Sequence, residues 1–169
     1  MMDHPRGPGG PIFSAAFSAA AISTGGACEL LHITASTRSR VALREIRIGQ
    51  YSDAGDAQAE MLSMLLLVGT TAASTGTAIT PRNVARHTGA PTAGTAVVGP
   101  STALASTASA ILHVADAMNV AAGWIHMPAD GNSIVLNPGQ RATLRMSVPN
   151  DALSMNGTLT FQEIGSPSL

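Results

Sequence analysis

Residues 141–148 constrain the fold more than any other stretch of this chain. In Arg141-Ala142-Thr143-Leu144-Arg145-Met146-Ser147-Val148 an apolar side chain falls at every second position. A strand sends successive side chains to opposite faces, so this pattern gives one core face and one wet face. Asn156-Gly157-Thr158-Leu159-Thr160-Phe161-Gln162 repeats it a turn later. Two such strands imply a β-sandwich or barrel.

The rest of the chain agrees. Residues 12–17, 28–34, 41–51, 59–68, 104–114, 120–126 and 133–136 read as further strands. Between them lie Gly25-Gly26, the polar stretch 36–39, the Asp/Gly turn 52–56, Asp116-Ala117-Met118-Asn119 and Asn137-Pro138-Gly139. In 41–51, Val41 and Leu43 share one face and Ile46 and Ile48 the other, which implies a bulge near Arg44-Glu45 or a strand buried on both sides. Residues 59–68 carry helical propensity, but strand neighbours and Gly69 argue for a central strand. Its near-continuous apolar run needs cover on both faces. Residues 104–114 also fit a helix.

Residues 70–100, rich in Thr, Ala, Gly and Pro, read as one long loop, a kind of segment that tends to be functional. Residues 1–10 are Pro/Gly-rich and form an extended arm. The expected architecture is all-β: a single domain over residues 11–169, a jelly-roll-like antiparallel β-sandwich of about eight strands, with an N-terminal arm and one long loop.

Composition bounds the partners. Only 11% of residues are charged, against a usual share of roughly 25%. Much of the surface is therefore expected to meet other protein. All basic residues are Arg, which suits interface ion pairs, although GC-rich codon usage explains the same bias. A net charge of −1 without a basic tract argues against nucleic acid. No stretch reaches the roughly 18 apolar residues of a membrane helix. Residues 11–22 resemble a weak signal peptide, but Asp3, Pro5 and Pro8 suit a mobile arm better.

Chemistry-bearing patterns are sparse. The five histidines show no metal-ligand spacing, and His32 and His113, inside apolar strands, read as core or interface residues. Cys28 has no partner cysteine and reads as a buried small hydrophobe. Asp53, Asp56 and Glu60 surround a Gly turn without the spacing of a calcium loop. Glu60 is placed to pair with Arg44 or Arg47. No G-x-S-x-G elbow and no glycine-rich phosphate motif occurs. Trp124 reads as core. No catalytic, cofactor or metal site is expected, and the chain reads as a non-enzyme.

Three runs carry a resemblance. They are residues 46–60 (Ile-Arg-Ile-Gly-Gln-Tyr-Ser-Asp-Ala-Gly-Asp-Ala-Gln-Ala-Glu), residues 113–124 (His-Val-Ala-Asp-Ala-Met-Asn-Val-Ala-Ala-Gly-Trp) and residues 154–163 (Ser-Met-Asn-Gly-Thr-Leu-Thr-Phe-Gln-Glu). Together they resemble small β-sandwich or jelly-roll virion proteins of tailed bacteriophages. The resemblance implies a capsid decoration (cement) protein: a homotrimer on the outer surface of the phage head, bound to the major capsid protein. A tail, fibre or receptor-binding jelly-roll module is the alternative. Two parts of the chain are not matched. The candidate capsid contacts are Arg6 and Pro8 in the arm, Pro11 at its root, and Arg82 and Arg86 in the long loop. Arg82 and Arg86 are the only closely spaced arginines outside strands, and each can grip a carboxylate with two hydrogen bonds. Simple solvation, or pairing within their own trimer, is the competing reading.

Overall fold

The computed structural model describes residues 10–51, 60–70, 75–85, 90–91, 95–129 and 132–164. In chain order the strands are β1 (Ile12–Ile22), β2 (Cys28–Thr34), β3 (Arg40–Gln50), β4 (Met61–Val68), β5 (Ala78–Ile79), β6 (Arg82–Asn83), β7 (Ala96–Val98), β8 (Ile111–Asn119), β9 (Trp124–His126), β10 (Ile134–Leu136), β11 (Arg141–Met146) and β12 (Leu153–Ile164). They form two six-stranded antiparallel sheets packed face to face, the all-β sandwich expected from the alternating patterns. In the first sheet β12 lies between β1 and β3. Strand β6 extends the β1 flank, while β9 and β10 share the flank of β3. The second sheet runs β5-β7-β2-β11-β4-β8.

Inward residues of both sheets make one core. Phe13, Leu43, Ile46, Leu159 and Phe161 come from the first sheet, and Leu31, Ile33, Leu62, Met64, Leu66, Leu144 and Met146 from the second. Phe13 and Phe161 sit opposite each other on β1 and β12, with ring centroids 5.5 Å apart. The bulge expected in β3 is present. Thr160 faces Glu45 and Phe161 faces Leu43, so Arg44 is the extra residue, which explains how Val41, Leu43, Ile46 and Ile48 are all buried. A second irregularity interrupts β1 between Phe17 and Ala20. There Ala19 takes a left-handed conformation (φ 51°), and its N–H donates to Asn156 Oδ1 at 2.7 Å.

Residues 59–68 do contain an internal strand, β4, flanked by β11 and β8. Other boundaries differ from the sequence reading. The strand expected at 104–114 lies at Ile111–Asn119, so Asp116-Ala117-Met118-Asn119 is strand and the turn falls at 120–123. The long loop is broken by β5, β6 and β7. Strands of two or three residues show no period that a sequence pattern could reveal.

The largest departure concerns β11. Its second face is not wet: Thr143 is 0% exposed and the Arg145 side chain 17%. The cause is topological. Strands β7 and β8 lie on either side of β2-β11-β4, so the connection 99–110 must cross all three, and it crosses outside. The Ser101 and Glu29 backbones exchange two hydrogen bonds of 2.9 Å, and Ala105 packs down at 4% exposure. Further along, the crossing passes over Gly69 (φ 87°), where a Cβ would meet the Ser109 carbonyl oxygen at 3.4 Å. On the same outward face of β4, Leu67 is buried while Met61 stays 63% exposed.

Gly157 tests how tightly β1 and β12 are fitted. A Cβ at this position would overlap the Phe17 ring and touch Ile48 Cδ1 at 3.0 Å. Gly157→Ala is expected to lower unfolding stability by about 1–3 kcal/mol, the cost of crowding a packed interior. Urea midpoints should show it, and Phe17→Ala in the same chain should recover part of the loss.

Candidate contact surface

Of the five candidate contact residues, Pro11 and Arg82 are described; Arg6, Pro8 and Arg86 lie outside the described residues. Strand pairing brings the described two to one edge. Strand β6 adds antiparallel to the start of β1, with Arg82 opposite Ser14 and Asn83 opposite Phe13. The Val84 N–H donates to the Ile12 carbonyl at 3.0 Å. The root of the arm is fastened to the other side of the same strand end: Glu163 N–H donates to the Pro11 carbonyl at 3.1 Å, and Gln162 Nε2 to the Gly10 carbonyl at 2.8 Å. Arg82 is exposed, as are Ile12 (41%) and Val84 (50%). The edge thus presents one guanidinium, two apolar side chains and the exit of the arm.

Behind this edge Glu163 is buried. Its Oε1 accepts from Thr95 Oγ1 at 2.9 Å and Ser39 Oγ at 3.5 Å, while Ser36 and Ser39 hydroxyls meet at 2.7 Å. These bonds tie the 36–39 turn and Thr95 to the end of β12. Carboxylate and hydroxyls there use one another, which is an anchoring arrangement.

A second polar cluster lies beneath the crossing. Glu29 is 0% exposed; its Oε1 accepts from Arg145 Nη2 at 3.0 Å and from the Ala105 N–H at 2.6 Å. His32, 1% exposed, shares hydrogen bonds with Thr143 Oγ1 (2.9 Å) and Thr34 Oγ1 (3.3 Å), and Thr70 joins Thr143 at 3.2 Å. Burial holds His32 below its ordinary pKa; Glu29 opposes that shift and Arg141 adds to it. The cluster has an acid, an imidazole and hydroxyls, but Glu29, His32, Thr70 and Thr143 are all buried from solvent.

The opposite flank joins the sheets at β8 and β9. Trp124 is buried as expected, and its Nε1–H donates to Asp116 Oδ2 at 2.9 Å. Asp116 Oδ1 accepts the N–H of Ala117 at 2.8 Å. These two bonds hold the Asp116 carboxyl below the usual range, the indole bond most. His126 stacks on Trp124 at 5.8 Å and is held below its ordinary pKa by burial, against the pull of Asp116. His113 is the extra residue of a bulge in β8 and is exposed, so the core reading fails for it. Ile111 (63%), Leu112 (51%), Ile125 (62%), Met127 (65%) and Val135 (41%) project from this flank.

Other residues fall elsewhere than expected. Glu60 pairs with neither Arg44 nor Arg47. Its Oε2 accepts the Asn150 N–H at 2.8 Å, while Arg44 meets Gln162 and Ser133, and Arg47 meets Glu45. Strand β4 enters the second sheet and β3 the first, which separates these groups. Asp53 and Asp56 lie outside the described residues. Among the described residues no three His, Cys, Asp or Glu side chains converge as a metal site would. Cys28 borders a groove of about 500 Å³ between the sheets, and burial pushes its thiol up to about 11, away from a reactive thiolate. Sequence reasoning did not single out Glu29, Asp116 or Glu163. Only a charged residue next to apolar strand residues marked Glu29 and Glu163. No family model, curated protein or solved structure matches the chain.

The histidines set an acid-side pH dependence. Both His32 and His126 have folded pKa values below the ordinary 6.5, so the fold favours their neutral forms. That contribution is complete above about 6.5 and is lost as pH falls from there through the folded values. Asp116, depressed in the fold, adds a separate loss only below the ordinary carboxylate range. Melting temperatures are expected to fall between pH 7.5 and 5.5, and His32→Gln, which keeps a partner for Thr143, should flatten that slope.

Proposed function

We propose that this chain is a capsid decoration protein of a tailed bacteriophage, a homotrimer that binds the outer surface of the head. The supporting resemblance lies in residues 46–60, 113–124 and 154–163. The observation that carries the contact role is the shared edge, where Val84 N–H bonds the Ile12 carbonyl and so sets the root of the arm beside Arg82. An arm and an arginine leaving one edge together can grip a neighbouring shell subunit at two points.

The trimer reading draws on two further features. Charge is scarce, and five large apolar side chains project along the β8-β9-β10 flank. Soluble monomers seldom leave such a flank uncovered. Trivalent attachment then multiplies a weak contact: an exposed arginine–carboxylate pair worth about 1 kcal/mol per subunit acts three times.

Light scattering on the purified protein should give three times the 17.1 kDa chain mass; a monodisperse monomer at micromolar concentration overturns the trimer. In purified virions the chain should approach the copy number of the major capsid protein, whereas a few copies with binding to cells would assign it to a tail or fibre. Deleting residues 2–9, which keeps Gly10 on Gln162, or replacing Arg82 with Ala, should lower occupancy on shells and leave the melting temperature nearly unchanged. The Arg82→Ala deficit should narrow as salt rises.

A further inference from the structure

The crossing from β7 to β8 is held differently from the rest of the fold. Residues 102–104 and 106–109 are exposed, with Leu104 at 44%; only Ala105 is buried. Its attachment over the middle of the sheet is polar and reciprocal. The Glu29 carboxylate accepts the Ala105 N–H at 2.6 Å, and Arg145 Nη2 donates to the Ala105 carbonyl at 2.9 Å. Glu29 Oε1 and Arg145 Nη2 meet at 3.0 Å beneath it.

We propose that residues 102–110 are a hinged cover over the second sheet, latched by Glu29 and Arg145, that opens without unfolding the sandwich. Three observations support this. The closed cover contributes little apolar burial, and segments with few buried apolar contacts open locally. The latch is poorly satisfied when closed: Glu29 Oε2 and Arg145 Nε are buried without partners. Opening returns these charged groups to water, which offsets the bonds to Ala105. The third concerns what lies below. His32, Thr34 and Thr143 of the sheet and Thr70 just past β4 bond to one another, so opening at Ala105 does not orphan them. The Ser101–Glu29 backbone pair at one end and β8 at the other remain as hinges. Opening would bare the buried Glu29 carboxylate and the Arg145 guanidinium of the second sheet.

Residue-resolved hydrogen exchange on the full-length protein, across low urea concentrations, tests this. The Ala105 amide is expected to exchange at least about 100-fold faster than buried amides of β12, through an opening that urea hardly affects. Glu29→Gln should speed Ala105 exchange about tenfold further and leave the β12 amides unchanged, because it weakens the latch alone. Ala105→Val, which crowds the seat without touching the charges, should act the same way should the Glu29 variant fold poorly. The proposal falls if the Ala105 amide in the unaltered protein shares the rate and urea dependence of β12, since the cover would then leave only with global unfolding.

Discussion

A chain that leaves one flank of a sheet and re-enters at the other has to cross the strands between, and here it crosses three of them on the outside. Much of the character of the second sheet follows from that path. Outward residues of β2 and β11, chosen for water by their alternation, are roofed over. Polar groups under a roof must find partners, and His32, Thr143, Thr70 and Thr34 find them in one another. Glu29 and Arg145 find them partly in the roof itself. An ion pair taken out of water gains little net stability, because desolvation offsets its attraction. The sandwich is therefore held by the apolar layer between the sheets, and the crossing rests on it.

The first sheet is organised around β12, which pairs along nearly its whole length with both β1 and β3. That central position fixes the root of the arm, because the end of β12 bonds Gly10 and Pro11 directly. Both flanks of the molecule carry two- or three-residue strands, β5, β6 and β7 on the β1 side and β9 and β10 on the other. On the β8 side, the bulge at His113 and the Asp116 carboxylate on the Ala117 N–H blunt the strand edge. A bulge and a charge placed this way discourage another strand from adding. In the trimer we propose, a neighbour on this flank meets Ile111, Leu112, Ile125 and Met127 as side chains and finds a blocked ladder.

How much of this was legible in the sequence depends on length scale. Period-two patterns located β11 and β12, and the parity change in residues 41–51 located the bulge at Arg44. Those signals are local. The burial of Arg145 is not, since it depends on a segment some forty residues earlier lying across it. The same non-locality defeated the pairing of Glu60 with Arg44 or Arg47, which assumed that successive strands share a sheet. For the candidate contacts, residue type alone suggested Arg82 and the arm. Their adjacency came from β6, two residues long and invisible to any periodicity.

The scarcity of charge takes a different meaning once burial is known. Nineteen charged side chains follow from nine basic and ten acidic residues. Of these, Glu29 and Glu163 are enclosed, and Arg145 is largely so. The outer face of the first sheet carries Thr158 and Thr160 on β12 beside Ser14 and Ala16 on β1, with the Glu45–Arg47 ion pair opposite them on β3. Hydroxyls hydrate a surface without setting up long-range repulsion between copies. In the decoration role we propose, Arg82, exposed at the edge beside Pro11, is one of the outer charges left to act as a contact.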